Sequence, residues 1–399
     1  VKQEHVDALH WYVAKSISYV RNREVTTKYT TPTYPILMRE CVVTESSDPE
    51  KTVRFYKIYE PLNPDKQWRF SYTPDGVKPK QYINGFRELQ KAYRDYNAQE
   101  EKKFQNEAKD KDAQYKEKKL PEAFICSGER DALCVRALGY YPLWFNSETY
   151  KVTEEEIREI YKYVEILYNI PDIDSTGIRK GRELALRFLD IHTVWLPSWL
   201  SNFRDNRGKS RKDFRDFVGL RPKNEDFRNL ITLAMPARFW TKAWSERNKK
   251  ETYNINTAYL HYFLTLNGFN TLKDENTDDT QYIRMEGCIV RQIKAKDINS
   301  FLKGFAVERF LPVDIRNLIL ESPRTGESSL SQLDEINLDF TSYTPDSQFL
   351  FFSQSTWEVT KNGITEHKGQ LMDGRSVWDN KVIPHKAVSY THLRAHETC

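Results

Sequence analysis

The chain has 399 residues, of which 39% are hydrophobic, 30% charged and 13% aromatic, and 61 Lys and Arg against 57 Asp and Glu give a formal net charge of +4. This length predicts roughly two to three domains, and the composition excludes disordered, collagen-like and coiled-coil proteins. The five cysteines include no CxxC pair, which excludes a zinc ribbon and a disulfide framework. Because no apolar run is long enough to span a membrane and no signal segment opens the chain, we expect a protein of the reducing cytoplasm.

Positive charge is concentrated in two windows. Residues 51–94 carry 10 Lys and Arg against 4 Asp and Glu, and residues 201–250 carry 14 against 6, so the windows have net charges of +6 and +8 and the remainder −10. Aromatic residues alternate with basic ones in both windows, as in QWRFSY at 67–72. Basic groups neutralise phosphates and rings stack on bases, so the pattern is typical of a single-strand nucleic-acid groove. The alternative is an ordinary solvated surface over an aromatic core.

A polar stretch of mixed sign occupies residues 99–119, which predicts an exposed helix or linker and a domain boundary at about 120. Beyond it, strand-like and helix-like segments alternate. We predict strands at 122–126, 142–145, 164–170 and 192–196, and helices at 129–138, 153–163 and 178–189. This alternation predicts a parallel α/β sheet with right-handed crossovers over residues 121–222.

Polar clusters follow the strands of this sheet, where ligands bind in parallel sheets. Ser127 to Asp131 follow the first strand, and Asp172 and Asp174 follow the third. Carboxylates gathered at one sheet edge repel one another unless a cation lies between them, and hard oxygen ligands suit Mg²⁺. The sequence therefore predicts a magnesium site with Asp172 and Asp174 as ligands; an aspartate N-cap and a turn residue are the alternative.

The same residues resemble a family, the toprim fold shared by DnaG-type primases, topoisomerases and some nucleases. Asp172, Asp174 and Gly177 match its DxDxxG motif, and LPSWL (196–200) followed by RKDFRDF (211–217) is similar to the end of primase toprim domains. The resemblance covers residues 121–222 and implies a toprim-like domain that uses Mg²⁺ or Mn²⁺. Asp131, one turn into the first helix, is a third candidate residue of the metal site, as a ligand or as a group that orients the loop or a metal-bound water.

Further residues receive roles from this resemblance. Lys212, Asp213 and Asp216 would close the far side of the site, although a charged helix start explains them equally well. Gly128 and Gly177 are structural motif positions. The candidate nucleic-acid or nucleotide ligands are the basic residues Arg54, Lys57, Lys66, Arg69, Lys78, Lys80, Lys180, Arg211 and Lys212.

The first motif departs from the family pattern, because Ser127 stands where the family has its catalytic glutamate. The segment SGERDAL (127–133) resembles a Ser-x-x-Lys-Asp variant of phage primase-helicases. Glu148, at the end of the next strand, is a candidate for the missing catalytic carboxylate, and Glu129 is its rival. Alternatively, Glu148 is solvated in a turn or cap.

The flanking regions also resemble parts of phage primases. Residues 1–120 would be a mixed α+β primase-type domain that holds template and nucleotide, and residues 223–345 look like the α+β domain that precedes the ATPase of primase-helicases. A small α+β interaction domain is the alternative for 223–345. Residues 346–387 would begin the next segment, whereas 388–399 resemble a translated sequencing adapter. No GxxxxGK[ST] sequence is present, so we expect the helicase to lie beyond this sequence.

Together these features predict a DNA primase, part of a primase-helicase in phage or mobile-element replication within a bacterial cytoplasm. Nucleoside triphosphates would be its substrates, and its partners a single-stranded DNA template and a replicative helicase, without a membrane. Two alternatives remain: a toprim module that lost catalysis and binds single-stranded DNA for a helicase, and a toprim nuclease.

Overall fold

The structure, a computed structural model, describes residues 1–21, 23–45, 48–80, 82–107, 114–145, 150–246, 249–273, 280–368 and 374–385. The chain divides into two compact units, Val1–Met235 and Pro236–Cys399. This division lies beyond the predicted boundaries at about 120 and 222, so the first two predicted domains fall within one unit. No helix in the described ranges is long and apolar enough to cross a membrane.

The first unit contains seven helices and twelve strands within its described residues. The helices are α1 (Gln3–Ala8), α2 (Phe86–Glu107), α3 (Glu129–Ala137), α4 (Glu154–Ile160), α5 (Ser175–Arg187), α6 (Phe214–Leu220) and α7 (Asn224–Ile231). The strands are β1 (Trp11–Val13), β2 (Ser16–Arg21), β3 (Glu24–Tyr29), β4 (Leu37–Glu45), β5 (Asp48–Tyr59), β6 (Phe70–Thr73), β7 (Ile83–Asn84), β8 (Leu120–Cys126), β9 (Pro142–Phe145), β10 (Val164–Ile170), β11 (His192–Thr193) and β12 (Met235–Pro236).

The amino-terminal part of this unit is an antiparallel sheet with the strand order β1-β4-β5-β6. Strands β2 and β3 form a separate two-stranded antiparallel hairpin. Alternation along β5 buries Val53, Phe55 and Lys57 and leaves Arg54 exposed, because successive side chains of a strand point to opposite faces. This region therefore contains both strands and helices, with α1 before the sheet and α2 after it.

A six-stranded sheet with the order β12-β11-β10-β8-β9-β7 forms the centre of the first unit. Strands β9, β8, β10 and β11 pair in parallel, as predicted, whereas β7 pairs antiparallel with β9. The last four residues of β8 and of β10 are all buried, as expected of strands covered on both faces. Because neighbouring parallel strands run in the same direction, β8 and β10 end at one edge, at Cys126 and Ile170.

The predicted linker takes part in this sheet domain. Strand β7 adds to the sheet beside β9, and Leu89 of α2 is buried in the core beneath it. The side chain of Asn97 accepts a hydrogen bond from the backbone N–H of Lys118 (2.8 Å) and donates one to its carbonyl (2.9 Å). Helix α2 and the segment before β8 are therefore tied together, rather than forming a free connection.

The second unit contains both α-helices and β-strands in its described residues. Its helices are α8 (Thr257–Leu266), α9 (Ala295–Glu308), α10 (Val313–Glu321) and α11 (Glu327–Leu330). Its strands are β13 (Trp240–Ser245), β14 (Lys250–Ile255), β15 (Phe269–Lys273), β16 (Thr280–Glu286), β17 (Ile289–Ile293), β18 (Ser347–Phe351), β19 (Ser355–Thr360), β20 (Gly363–Lys368) and β21 (Val377–Trp378). The hairpin β16–β17 extends into a four-stranded sheet with β15 and β21.

Candidate nucleic-acid and metal site at the edge of the parallel sheet

The DxD segment lies at the carboxyl end of β10 and leads into α5. Asp174 is the N-cap of this helix, and its Oδ1 accepts a hydrogen bond from the N–H of Gly177 (2.8 Å). A Cβ on Gly177 would collide with the carbonyl oxygen of Asp172, so the tight return of the loop requires glycine at this position. The N-cap interpretation is thus correct for one oxygen of Asp174, while its other oxygen and Asp172 remain available for other partners.

The Lys212 ammonium is the cation that these two aspartates hold. Its Nζ donates to Oδ2 of Asp174 and lies 3.5 Å from Oδ2 of Asp172. Partial burial opposes ionisation of Asp174, but the Lys212 hydrogen bond and the helix N–H groups lower the pKa of this carboxyl below its usual value. Burial instead raises the pKa of Asp172, against the opposing effects of the Ser127 hydroxyl and of Lys212.

A second acidic group lies where α3 meets the start of α6. Asp213 is the N-cap of α6 and accepts a hydrogen bond from the N–H of Asp216 (2.8 Å). Asp131 on α3 is only 5% exposed and accepts one from the N–H of Arg215 (2.9 Å). Asp213 and Asp216 therefore act as the charged helix start that the sequence offered as an alternative, and Asp131 fastens the two helices together.

Burial, reinforced by the neighbouring Asp213, raises the pKa of Asp131 to about 7. Since the folded state holds the proton more tightly than the unfolded state, the free energy of unfolding falls as pH rises from about 4 to 7 and the group ionises.

We expect Asp131→Asn, whose amide oxygen can still accept from Arg215, to stabilise the protein by about 2–4 kcal/mol at pH 8 and to be nearly neutral at pH 4. Urea unfolding at both pH values measures this difference. Glu225→Gln, on the exposed first turn of α7, is the control, and equal effects at the two pH values would contradict the assignment.

Ser127 and Glu129 follow β8 at the same edge. The hydroxyl of Ser127 donates to the carbonyl oxygen of Ile170 at the end of β10 (3.3 Å), which links the two loops. Oε1 of Glu129 accepts a hydrogen bond from Nζ of Lys57, and the two side chains are only 21% and 8% exposed. Burial alone would raise the pKa of Glu129, but the Lys57 ammonium lowers it below its usual value. Glu148 lies outside the described residues.

A cavity of about 860 Å³ opens in front of this edge. Its acidic wall comes from Glu129, Asp131, Asp172 and Asp213. Aromatic side chains of the amino-terminal sheet also line the cavity, namely Trp11, Tyr12, Tyr59 and Phe70. The basic side chains that line it are Arg69, Arg130, Arg207 and Lys212. The sequence does not relate these aromatic residues to the acidic edge, because only the packing of β1, β5 and β6 brings them there.

Apart from Lys212, three of the predicted basic residues are exposed, and the others contact neighbouring groups of the chain. Lys66 and Lys80 are exposed, and Arg54 is exposed beside Glu40 (2.9 Å). The remainder contact other groups: Lys57 pairs with Glu129, Arg69 donates to the carbonyl of Asn63, Lys78 lies over the ring of Tyr72, Lys180 lies beside Glu183, and Arg211 donates to the carbonyls of Arg204 and Asp216. Lys57, at 8% exposure, is therefore a structural cation rather than a surface one.

One buried cation that the sequence did not single out is Arg39. It is 3% exposed, donates through Nε to the carbonyl of Leu9 (3.1 Å) and through Nη1 to Oδ1 of Asn84, and lies 4.5 Å from the ring centroid of Trp144. It thereby joins the amino-terminal sheet to β7 and β9. Because Arg39 lies outside both basic windows, its sequence context gave no indication of this role.

The aspartate pair fits a cation. Oδ1 of Asp172 is buried and has no hydrogen-bond partner, and Oδ2 of both aspartates already faces an ammonium group. No group of three or more His, Cys, Asp and Glu side chains suited to a metal ion occurs in the part of the chain that the structure describes. Asp172 and Asp174 could therefore supply two ligands to Mg²⁺, which normally keeps water or phosphate oxygens in its remaining positions.

Neither a protein-family model nor a curated protein matches this sequence. Similar solved structures include a DnaG primase catalytic domain bound to single-stranded DNA (13% identity, TM-score 0.33, 59% of each chain covered) and the E. coli primase catalytic core (13%, 0.33, 59% of this chain and 60% of that one). A DNA primase domain from Pseudomonas aeruginosa is also similar (14%, 0.40, 83% of this chain and 78% of that one). The matches span about three fifths of the first two chains.

Proposed function

We propose that this chain is the toprim-type primase part of a phage or mobile-element primase-helicase and synthesises primers on single-stranded DNA. The cavity carries the proposal, because it brings acidic side chains of the sheet edge, Asp172 among them, together with aromatic and basic side chains in one unit. Such a site can hold phosphates at one wall and bases at the other. The toprim-like motif order at 127–131, 172–177 and 211–216 supports the same assignment.

Primer synthesis joins nucleotides through attack of a 3′-hydroxyl on an α-phosphate. Asp172 and Asp174 would hold Mg²⁺ or Mn²⁺, which neutralises the phosphates of an incoming nucleoside triphosphate. Asp131 keeps the α3 end of the edge fixed through Arg215, and the Ser127 hydroxyl joins the loops that follow β8 and β10. The cavity walls would orient the template and the nucleotide against this edge.

The experiment is a primer-synthesis assay with the full chain, single-stranded template, nucleoside triphosphates and Mg²⁺, with template-free and chelator-treated reactions as controls. We expect short products that require both template and Mg²⁺. Their absence over a panel of template sequences, with single-strand binding retained, would overturn the primase assignment.

A second candidate function is a binding module without catalysis. Pairing of the acidic edge with basic side chains of the chain itself favours it: Glu129 with Lys57, Asp174 with Lys212, and Asp213 with Arg130 at 3.9 Å. Ser127 at the position of the family's glutamate points the same way. Single-strand binding together with no primer synthesis would select this function, and cleavage of DNA would select the nuclease alternative.

Both leading functions predict salt-dependent binding of single-stranded DNA through the exposed lysines of the amino-terminal region. If about three phosphates are neutralised, affinity should fall roughly tenfold to twentyfold between about 50 mM and about 200 mM salt. We expect Lys66→Met/Lys80→Met to weaken binding and flatten this slope. Lys116→Met/Lys119→Met removes the same charge from exposed positions before β8, at the opposite edge of the sheet, and should change little. Fluorescence anisotropy measures both, and equal slopes for the two double variants would reject a groove at Lys66 and Lys80.

A further inference from the structure

The backbone of Lys212 is hydrogen-bonded both to the DxD loop and to Asp216 on α6. Its carbonyl oxygen accepts a hydrogen bond from the N–H of Ile173, the central residue of the DxD segment (3.0 Å). Its own N–H donates to Oδ2 of Asp216 (3.0 Å). The ammonium therefore reaches the two aspartates from an anchored position, which distinguishes it from a surface lysine that meets a carboxylate by chance.

The Lys212 side chain is 47% exposed and lines the cavity, so the cavity gives its ammonium a place outside the ion pair. The aspartates have less freedom: Asp174 is held by its cap to Gly177, and Asp172 is followed by Ile173, whose N–H is held by Lys212. The carboxylates thus form a fixed site for positive charge, and the lysine is its removable occupant.

We propose that Lys212 is an internal cation that competes with a divalent metal ion for the Asp172–Asp174 pair. Two carboxylates and one ammonium leave one net negative charge, and a dication cannot enter beside the ammonium without like-charge repulsion. Metal entry therefore displaces Lys212 into the cavity, where phosphate is a suitable partner for an ammonium. The proposal rests on the proposed function in naming Mg²⁺ or Mn²⁺ as the competing ion, but metal binding tests it without any enzymatic reaction.

The probe is Mn²⁺, titrated into the full-length chain and followed by the electron paramagnetic resonance of the free ion. Because this hydrogen bond joins charged groups but is half exposed and therefore screened, removing the ammonium should tighten Mn²⁺ binding by about tenfold. We expect this gain in both Lys212→Met and Lys212→Gln, and wild-type affinity in Lys212→Arg.

Lys209→Met is the matched control. Lys209 lies three positions earlier in the same loop and contacts Asp205 through its backbone, so we expect wild-type Mn²⁺ affinity. Adding Asp172→Asn/Asp174→Asn to Lys212→Met should abolish the gain, which assigns the bound ion to this pair.

The proposed competition would be overturned if Mn²⁺ binding were unchanged or weaker in both neutral Lys212 variants. It would also be overturned if the gain in affinity survived loss of the aspartates. The outcome is independent of primer synthesis. A wild-type chain that makes primers while Lys212→Met shows no gain refutes only the competition, whereas a gain without primers refutes only the primase assignment.

Discussion

Primer synthesis by the Asp172→Asn/Asp174→Asn variant is expected to fall about a hundredfold or more below that of the wild-type chain, since these are the carboxylates that hold positive charge at the reacting edge. Asparagine preserves the size of both side chains, and its oxygen can still cap α5 at Gly177. The fold should therefore persist while the charge is lost. Initial rates of primer formation at saturating Mg²⁺ measure the effect, and circular dichroism checks the fold.

A control pair of carboxylates lies near the start of β10, the end away from Asp172. Glu165 is exposed on β10 itself, and Glu159, on α4, is half exposed beside Lys162. Glu159→Gln/Glu165→Gln removes the same charge and should retain wild-type rates. A hundredfold loss in this control would mean that overall charge matters rather than the DxD edge, and full activity of the aspartate variant would exclude these residues from catalysis.

The sequence predicted the parallel sheet well because its strands are buried on both faces. The predicted bounds of the strand at 164–170 agree with β10, and those at 122–126 differ from β8 by two residues. The predicted strand at 192–196 is shorter in the structure, since only His192 and Thr193 pair with β10. Strand β7, two residues long, has no periodicity to detect, and its pairing with β9 extends the sheet domain across the expected boundary at 120.

The candidate site was less predictable, because its chemistry depends on contacts between distant segments. The DxD motif identified Asp172 and Asp174 as a pair, and the resemblance placed Lys212 on the far side of the same site. Neither indicated that Lys212 would occupy the space between them, across 38 positions of sequence. The Lys57–Glu129 pair joins β5 to the start of α3 across 72 positions of sequence, so spacing alone left Lys57 as a surface cation and Glu129 as a catalytic candidate.

The buried Lys57–Glu129 pair should be costly to break from one side. Removing one partner of a buried ion pair leaves the other charge desolvated, so we expect Lys57→Met to lower the free energy of unfolding by about 3–5 kcal/mol. Glu129 begins α3 immediately after the Ser127 loop, whereas Lys57 lies on β5. The loss should therefore appear first as faster amide exchange at the end of β8 and the start of α3, measured by hydrogen–deuterium exchange mass spectrometry.

The double variant Lys57→Met/Glu129→Gln separates pairing from burial. With both charges removed, no unpaired ion remains, so its destabilisation should be smaller than the sum of the two single effects. Lys162→Met breaks the exposed Lys162–Glu159 pair, whose side chains are 62% and 47% exposed, and should cost no more than about 1 kcal/mol. If Lys57→Met cost as little as this control, or if the two buried-site substitutions were additive, the pair would not connect the amino-terminal sheet to the acidic edge. Another contact would then have to hold the amino-terminal sheet beside the acidic edge.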